Sequence, residues 1–237
     1  MLIFPAIDLF GGKAVRLYKG DYAQMTVYND DPLSVARDFV SKGASCLHTV
    51  DLEGAKSGGT PNLSVVEKLA KETPLFTEIG GGIRSMEVIR RYMTAGVDRV
   101  ILGTAAVTDP DFLERAAGEY GEKVAVGVDI KDGFVAIKGW TERSELEAFD
   151  FCEKLQKLGI RTIICTDISR DGAMRGTNRE LYKKLSETLS MRIIASGGVS
   201  ALDDVRALRA MDLYGAIIGK AYYTGAIDLS EAVEAAK

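Results

Sequence analysis

The chain has 237 residues, 46% of them hydrophobic, with 30 basic against 34 acidic residues and a net charge of −4. That size fits one large soluble domain near the ~250 residues typical of a (β/α)8 barrel, and the mild acidity argues against a nucleic-acid footprint. No apolar run approaches the ~20 residues that span a bilayer, and Cys46, Cys152 and Cys165, none in a C-x-x-C pair, favour reduced thiols in the cytoplasm.

In chain order, the opening Met1-Leu2-Ile3-Phe4-Pro5 has no basic leader, so it reads as a strand rather than a signal peptide. Apolar patterning places strands at 2–8, 45–51, 75–79, 97–103, 124–129, 161–167, 191–196 and 216–219. Amphipathic stretches place helices at 32–42, 63–72, 86–95, 110–120, 146–158, 179–189, 201–211 and 229–236. Pro32 and Pro110 suit first helical turns, where a missing N–H costs little. Eight strand–helix units in strict alternation predict an α/β fold with a parallel sheet closed into a (β/α)8 TIM barrel. An open doubly wound sheet is the lesser alternative, because no G-x-G-x-x-G follows the first strand. Nothing linker-like divides residues 1–237, so one domain is expected. Long loops at 19–31 and 130–145, with short β-like pieces at 14–17 and 134–137, fall at equivalent places and read as functional lids.

The chain also repeats itself. Gly81-Gly82-Ile83 returns 116 positions on as Gly197-Gly198-Val199, and Gly103 returns as Gly219 at the same offset. Asp51 returns as Asp167 and Asn62 as Asn178, while Asp8 and Asp129 differ by 121. An offset kept through strand ends and glycine turns predicts an internal twofold repeat, with half-barrels near 1–120 and 121–237. The glycine turns after strands three and four (Gly81, Gly82, Arg84; Gly103, Thr104) and seven and eight (Ser196, Gly197, Gly198; Gly219, Lys220) form two matched cradles of backbone donors. A ligand with a phosphate at each end fits that pattern, with Arg16, Arg84 and Lys220 as cations for it.

Asp8 and Asp129 end strands one and five, opposite each other across an eight-stranded barrel. Two carboxylates across a small substrate suit a general acid and base if their environments split their pKa values. Asp51 and Asp167 either orient substrate hydroxyls or organise their loops, two readings of equal weight; Thr166 adds a hydroxyl. Trp140, in the fifth loop, is placed to stack on a flat heterocycle, with a loop-anchoring contact nearly as plausible. His48, the one histidine, lies on the face opposite Asp51 and reads as structural. With no Cys/His ligand spacing, no metal is expected, and a carboxylate-only metal site is less economical than acid–base work.

The segments Pro5-Ala6-Ile7-Asp8-Leu9, Gly11–Leu17, Gly20-Asp21-Tyr22, His48–Ala55, Gly80–Arg84, Lys138-Gly139-Trp140 and Thr166–Gly172 carry a family likeness. Through them the whole chain resembles the Amadori isomerases of histidine biosynthesis, the phosphoribosylformimino-5-aminoimidazole carboxamide ribotide isomerases. The resemblance implies a cofactor-free aldose–ketose isomerisation of a small bisphosphate, with acid and base falling on Asp129 and Asp8. Glu53, where Asp is expected, and Thr177, where Pro is expected, depart only in loop detail. Three alternatives stand beside it: added activity on phosphoribosylanthranilate, the sister ammonia-dependent cyclase, and a non-catalytic bisphosphate binder. The cyclase is disfavoured because no cysteine precedes Asp8. No nucleic-acid or membrane partner is expected, and a monomer would suffice.

Overall fold

The computed structural model describes residues 1–18 and 20–237; Lys19, first residue of the loop expected at 19–31, lies outside the described residues. The chain opens with β1 (Leu2–Phe10), an antiparallel hairpin β2 (Lys13–Tyr18) and β3 (Asp21–Asn29), then α1 (Pro32–Ser41). There follow β4 (Cys46–Asp51), α2 (Leu52–Ser57), α3 (Leu63–Glu72), β5 (Phe76–Gly80) and α4 (Met86–Thr94). The first half ends with β6 (Arg99–Leu102), α5 (Thr104–Thr108) and α6 (Pro110–Tyr120). The second opens with β7 (Val124–Lys131), a hairpin β8 (Phe134–Ile137) and β9 (Glu142–Glu147), and α7 (Ala148–Lys157). It continues with β10 (Thr162–Asp167), α8 (Arg179–Thr188), β11 (Arg192–Ser196), α9 (Leu202–Ala210), β12 (Gly215–Ile218), α10 (Lys220–Tyr223) and α11 (Leu229–Ala235).

Eight strands pair in parallel around a closed ring, β1–β4–β5–β6–β7–β10–β11–β12, with β12 returning to β1 through Leu2 opposite Gly215. The fold is therefore a (β/α)8 barrel. The two hairpins stand outside this ring, β2 antiparallel to the end of β1 and β8 antiparallel to the end of β7.

Period-two alternation sorts each barrel strand into two environments. Phe4 and Ala6 of β1 join Cys46, Ile101, Ala125, Ile164, Ile194 and Ile217 in a small cluster inside the ring. Ile3, Ile7 and Leu9 join the larger cluster between strands and helices, with Phe39 of α1 and Leu69 of α3. The helices start where the chain supplies caps: the Asp31 carboxylate accepts from Leu33 N ahead of Pro32, and that of Asp109 accepts from Phe112 N ahead of Pro110. The stretch expected to begin a helix at Leu146 is still strand there, and the helix begins at Ala148. Glu142–Glu147 is largely exposed and charged, so it shows no apolar alternation, and pairing with β8 holds it extended.

Candidate active site

The same alternation decides which acids reach the barrel mouth. Asp8 shares the face of Phe4 and Ala6, and Asp129 that of Ala125 and Gly127, so both point inward and line one cavity of about 310 Å³. Of the substrate-facing residues expected from the sequence, Arg16, Gly81, Gly82, Arg84, Gly103 and Thr104 line it too. So do Trp140, Thr166, Ser196, Gly197, Gly198, Gly219 and Lys220.

Asp51 and Asp167 do not. They lie on the opposite parity, turned toward the helices, and are buried. Asp51 Oδ1 accepts from Gly54 N at 2.8 Å and Asn62 Nδ2 at 2.8 Å; Oδ2 accepts from Asn62 N at 3.1 Å and Tyr92 OH at 3.3 Å. Asp167 repeats the plan, accepting from Asn178 Nδ2 at 2.6 Å and from Ser169 N at 2.9 Å. Of the two readings open for these aspartates, loop organisation is the one their contacts fit. The matched asparagines 62 and 178 serve the same purpose in each half.

The glycine turns are built onto those loops. Gly81 and Gly82 have φ of 104° and 73°, and Gly197 and Gly198 have 89° and 84°. A Cβ on Gly82 would collide with Gly54 O, and one on Gly198 with Gly176 O, so both turns press backbone on backbone against the preceding loop. Gly103 and Gly219 complete the cradles, each just ahead of a short helix. Thr104 Oγ1 accepts from Lys138 N at 2.8 Å, tying the β8–β9 hairpin to the first cradle. Lys220 Nζ donates to Gly172 O at 3.1 Å beside the second, and the Arg16 guanidinium lies against Gly219.

The two inward acids are both raised by burial but have different partners. Burial pushes the Asp8 carboxyl up, and the Arg16 guanidinium, at 2.9 Å from Oδ2, works against that rise. Burial likewise pushes Asp129 up; what opposes it there are first the hydrogen bonds from Trp140 and Thr166 and then His48, which acts on Asp8 as well. Asp171 raises both, placing a third carboxylate by the reacting centre. Sequence reasoning missed Asp171 because it sits in a loop and not at a strand end; its neighbourhood of turn formers was the available signal. Tyr22, Lys138 and His48 also line the cavity. His48 was expected to be structural, and its Nδ1 does meet Glu78 Oε1 at 2.7 Å. Yet the face opposite Asp51 is the inward one, which brings the ring to the cavity wall. Among the described residues no group of three or more His, Cys, Asp or Glu is arranged to hold a metal, and no helix is long and apolar enough to cross a membrane.

A (β/α)8 barrel with inward acids at opposed strand ends and paired glycine turns defines a barrel with an acid-lined site at the C-terminal ends of its strands, the face where such barrels build their active sites. Comparison with known proteins narrows the class. Residues 2–228 match the family described as histidine biosynthesis protein. A protein of Oceanobacillus iheyensis is 50% identical over 99% of this chain and 98% of its own length. One of Listeria monocytogenes is 48% identical over the same shares, and one of Brachyspira hyodysenteriae is 49% identical over the whole of both chains. All three are named 1-(5-phosphoribosyl)-5-((5-phosphoribosylamino)methylideneamino) imidazole-4-carboxamide isomerase. The chain belongs to the histidine biosynthesis protein family.

Proposed function

We propose that the protein is an isomerase that converts the aminoaldose form of its relatives' bis-phosphoribosyl imidazole carboxamide to the aminoketose by an Amadori rearrangement. The observation that carries the reading is one cavity holding Asp8 and Asp129 between two glycine-turn cradles. Full-length identity near one half with three so-named isomerases supports it.

The chemistry follows from the difference between the two acids. A buried carboxyl served only by neutral donors keeps its proton more readily than one beside a guanidinium. Asp129 therefore acts as the acid, protonating the ribose ring oxygen as the C1–O bond breaks and leaves a protonated Schiff base. That cation acidifies the C2 hydrogen, and ionised Asp8, held by Arg16, removes it. The resulting enolamine is the enol form of the product, and tautomerisation gives the ketose. Each positioned proton transfer contributes about 10²–10⁴ in rate. The cradles at Gly81–Arg84 with Gly103–Thr104, and at Gly197–Gly198 with Gly219–Lys220, hold the two phosphates and align C1 and C2 between the acids. These proton transfers need no cofactor.

The test is a spectroscopic assay of the purified protein on the histidine-pathway aminoaldose, with phosphoribosylanthranilate run separately. Turnover of the first is expected, and its absence would reject the reading. Ammonia-dependent product from the ketose would favour the cyclase instead.

A further inference from the structure

The two halves of the chain part company at one turn. Gly11 and Gly12 join β1 to β2 with φ of 58° and 76°, the left-handed pair of a two-residue hairpin turn. Their N–H groups find acceptors in the loop after β4: Gly11 N donates to Glu53 Oε2 at 2.6 Å, and Gly12 N to Asn62 Oδ1 at 2.9 Å. Asn62 Nδ2 donates to the same Glu53 oxygen at 3.1 Å and to Asp51 Oδ1 at 2.8 Å. Carboxylates only accept and a backbone N–H only donates, so these partners fix which way the buried Asn62 amide faces. Tyr22 of β3 donates its OH to Leu52 O at 2.8 Å, fastening the hairpin's second strand to the same loop.

The second half has no such fastening. At the offset of 116, Ser169 and Asn178 stand where Glu53 and Asn62 do. Ser169 Oγ turns back to Asp167 Oδ1 at 2.6 Å, and Asn178 Oδ1 caps α8 by accepting from Leu181 N at 3.1 Å. Asn62 leaves α3 without a side-chain cap. A capping asparagine stabilises the helix behind it, so the first half forgoes that stabilisation for a hold on the hairpin.

What the hold secures is Arg16. β1 and β2 pair from Phe10 opposite Lys13 to Asp8 opposite Val15, and Arg16 is the next residue of β2. Its Nη1 donates to Asp8 Oδ2 at 2.9 Å, and the guanidinium lies against Gly219 of the second cradle. Turn geometry sets strand register, so a pinned turn fixes where Arg16 stands. We propose that Glu53, together with Asn62, is a positioning residue that latches the β1–β2 turn and so keeps the Arg16 guanidinium on the Asp8 carboxylate. The effect on turnover rests on the isomerase reading; the latch does not.

Asp8 is faced by Arg16 of β2, Tyr22 of β3, His48 of β4, Asp171 after β10 and Tyr223 of α10, with Asp129 across the cavity. Burial pushes its carboxyl up, and Arg16 is the largest influence against that rise. Two variants separate the latch from mere charge. E53S copies the twin loop and has no acceptor that reaches Gly11, while E53Q loses the charge and keeps an acceptor. Loss of the Glu53 charge by itself can only draw the Asp8 pKa down, whereas a loosened Arg16 lets it rise.

In E53S the acid limb of the kcat/KM profile should move up by about one unit, the low end of what a neighbouring cation does to a carboxylate. Its kcat, measured well below Tm, should fall about tenfold with product affinity little changed. In E53Q the limb should not rise, and kcat should stay within about threefold of wild type. Amide hydrogen exchange should find Gly11 protected in wild type and E53Q and released in E53S. E53A takes the place of E53S if that variant does not fold. An acid limb that stays put or moves down in the latchless variant, or Gly11 exchange equal to wild type, overturns the proposal. A protein inert toward the aminoaldose in which E53S still frees Gly11 would reject the isomerase assignment and support the latch.

Discussion

Asp51→Asn separates a loop-organising acid from a substrate-binding one. The Asp51 carboxylate accepts four hydrogen bonds in a fully buried setting, two on each oxygen. An asparagine of the same shape must turn its NH2 toward one pair of donors. The lesser loss points it toward Asn62 N and Tyr92 OH, because a tyrosine hydroxyl can rotate and accept. Asn62 N is then orphaned, at about 1–3 kcal/mol. The bonds from Gly54 N and Asn62 Nδ2 lose their charged acceptor, at roughly 1 kcal/mol each. The sum is about 3–5 kcal/mol, which in a chain of this size lowers Tm by roughly 6–20 °C. Calorimetry measures the loss, and isomerase kinetics well below the new Tm measure the chemistry. The expected outcome is a large fall in Tm with kcat at low temperature within a few-fold of wild type. An unchanged Tm with kcat reduced a hundredfold would refute the argument and return Asp51 to the substrate.

Asp129→Asn should lower kcat by about 10²–10⁴ and change the pH dependence of stability. Burial raises the folded-state pKa of Asp129 above its ordinary 3.8. The native state therefore binds its proton more tightly, and stability from this group is present below that value and lost as pH rises through the folded pKa. The variant lacks this loss, so its stability relative to wild type should climb between acid and neutral pH, as denaturant midpoints across pH would show; a constant difference would contradict the assigned direction. Asp8→Asn should likewise remove turnover while substrate still binds, checked by calorimetric titration. Gly82→Ala should be destabilised by more than ~1 kcal/mol, since it meets both an unfavourable φ and Gly54 O, and its KM should rise; equal KM would show that this turn grips no phosphate. Trp140 is the one tryptophan, so its fluorescence should change when the bisphosphate product binds, and an unaltered spectrum at saturation would place the indole away from the ligand.

The barrel was legible because the feature that makes it, eight alternations of β-rich and amphipathic runs, is local. The opposed pair Asp8 and Asp129 was legible for the same reason: strand number and strand end are both readable from spacing. Parity was the harder problem. Periodicity separates the two faces of a strand without saying which one meets the barrel axis, so Asp51 and His48 were put on opposite faces with the role of Asp51 left open and His48 read as structural only. The small residues Ala6, Ala125 and Gly127 on the faces of Asp8 and Asp129 mark the axis, and could have resolved it. The strands Asp21–Asn29 and Glu142–Glu147 were hidden by their exposure, which removes the apolar alternation by which strands are recognised.

The stack inside the ring, from Phe4 and Arg99 up through Ile101, Ile164 and Ile217, has a consequence for traffic. Among the described residues it fills the interior of the ring beneath the cavity that holds Asp8 and Asp129. Gly20 and Trp140, one from each hairpin, both line that cavity, and a Cβ on Gly20 would come within 3.0 Å of the indole. If binding draws the two hairpins together, their parting becomes a step that no improvement in proton transfer could hasten.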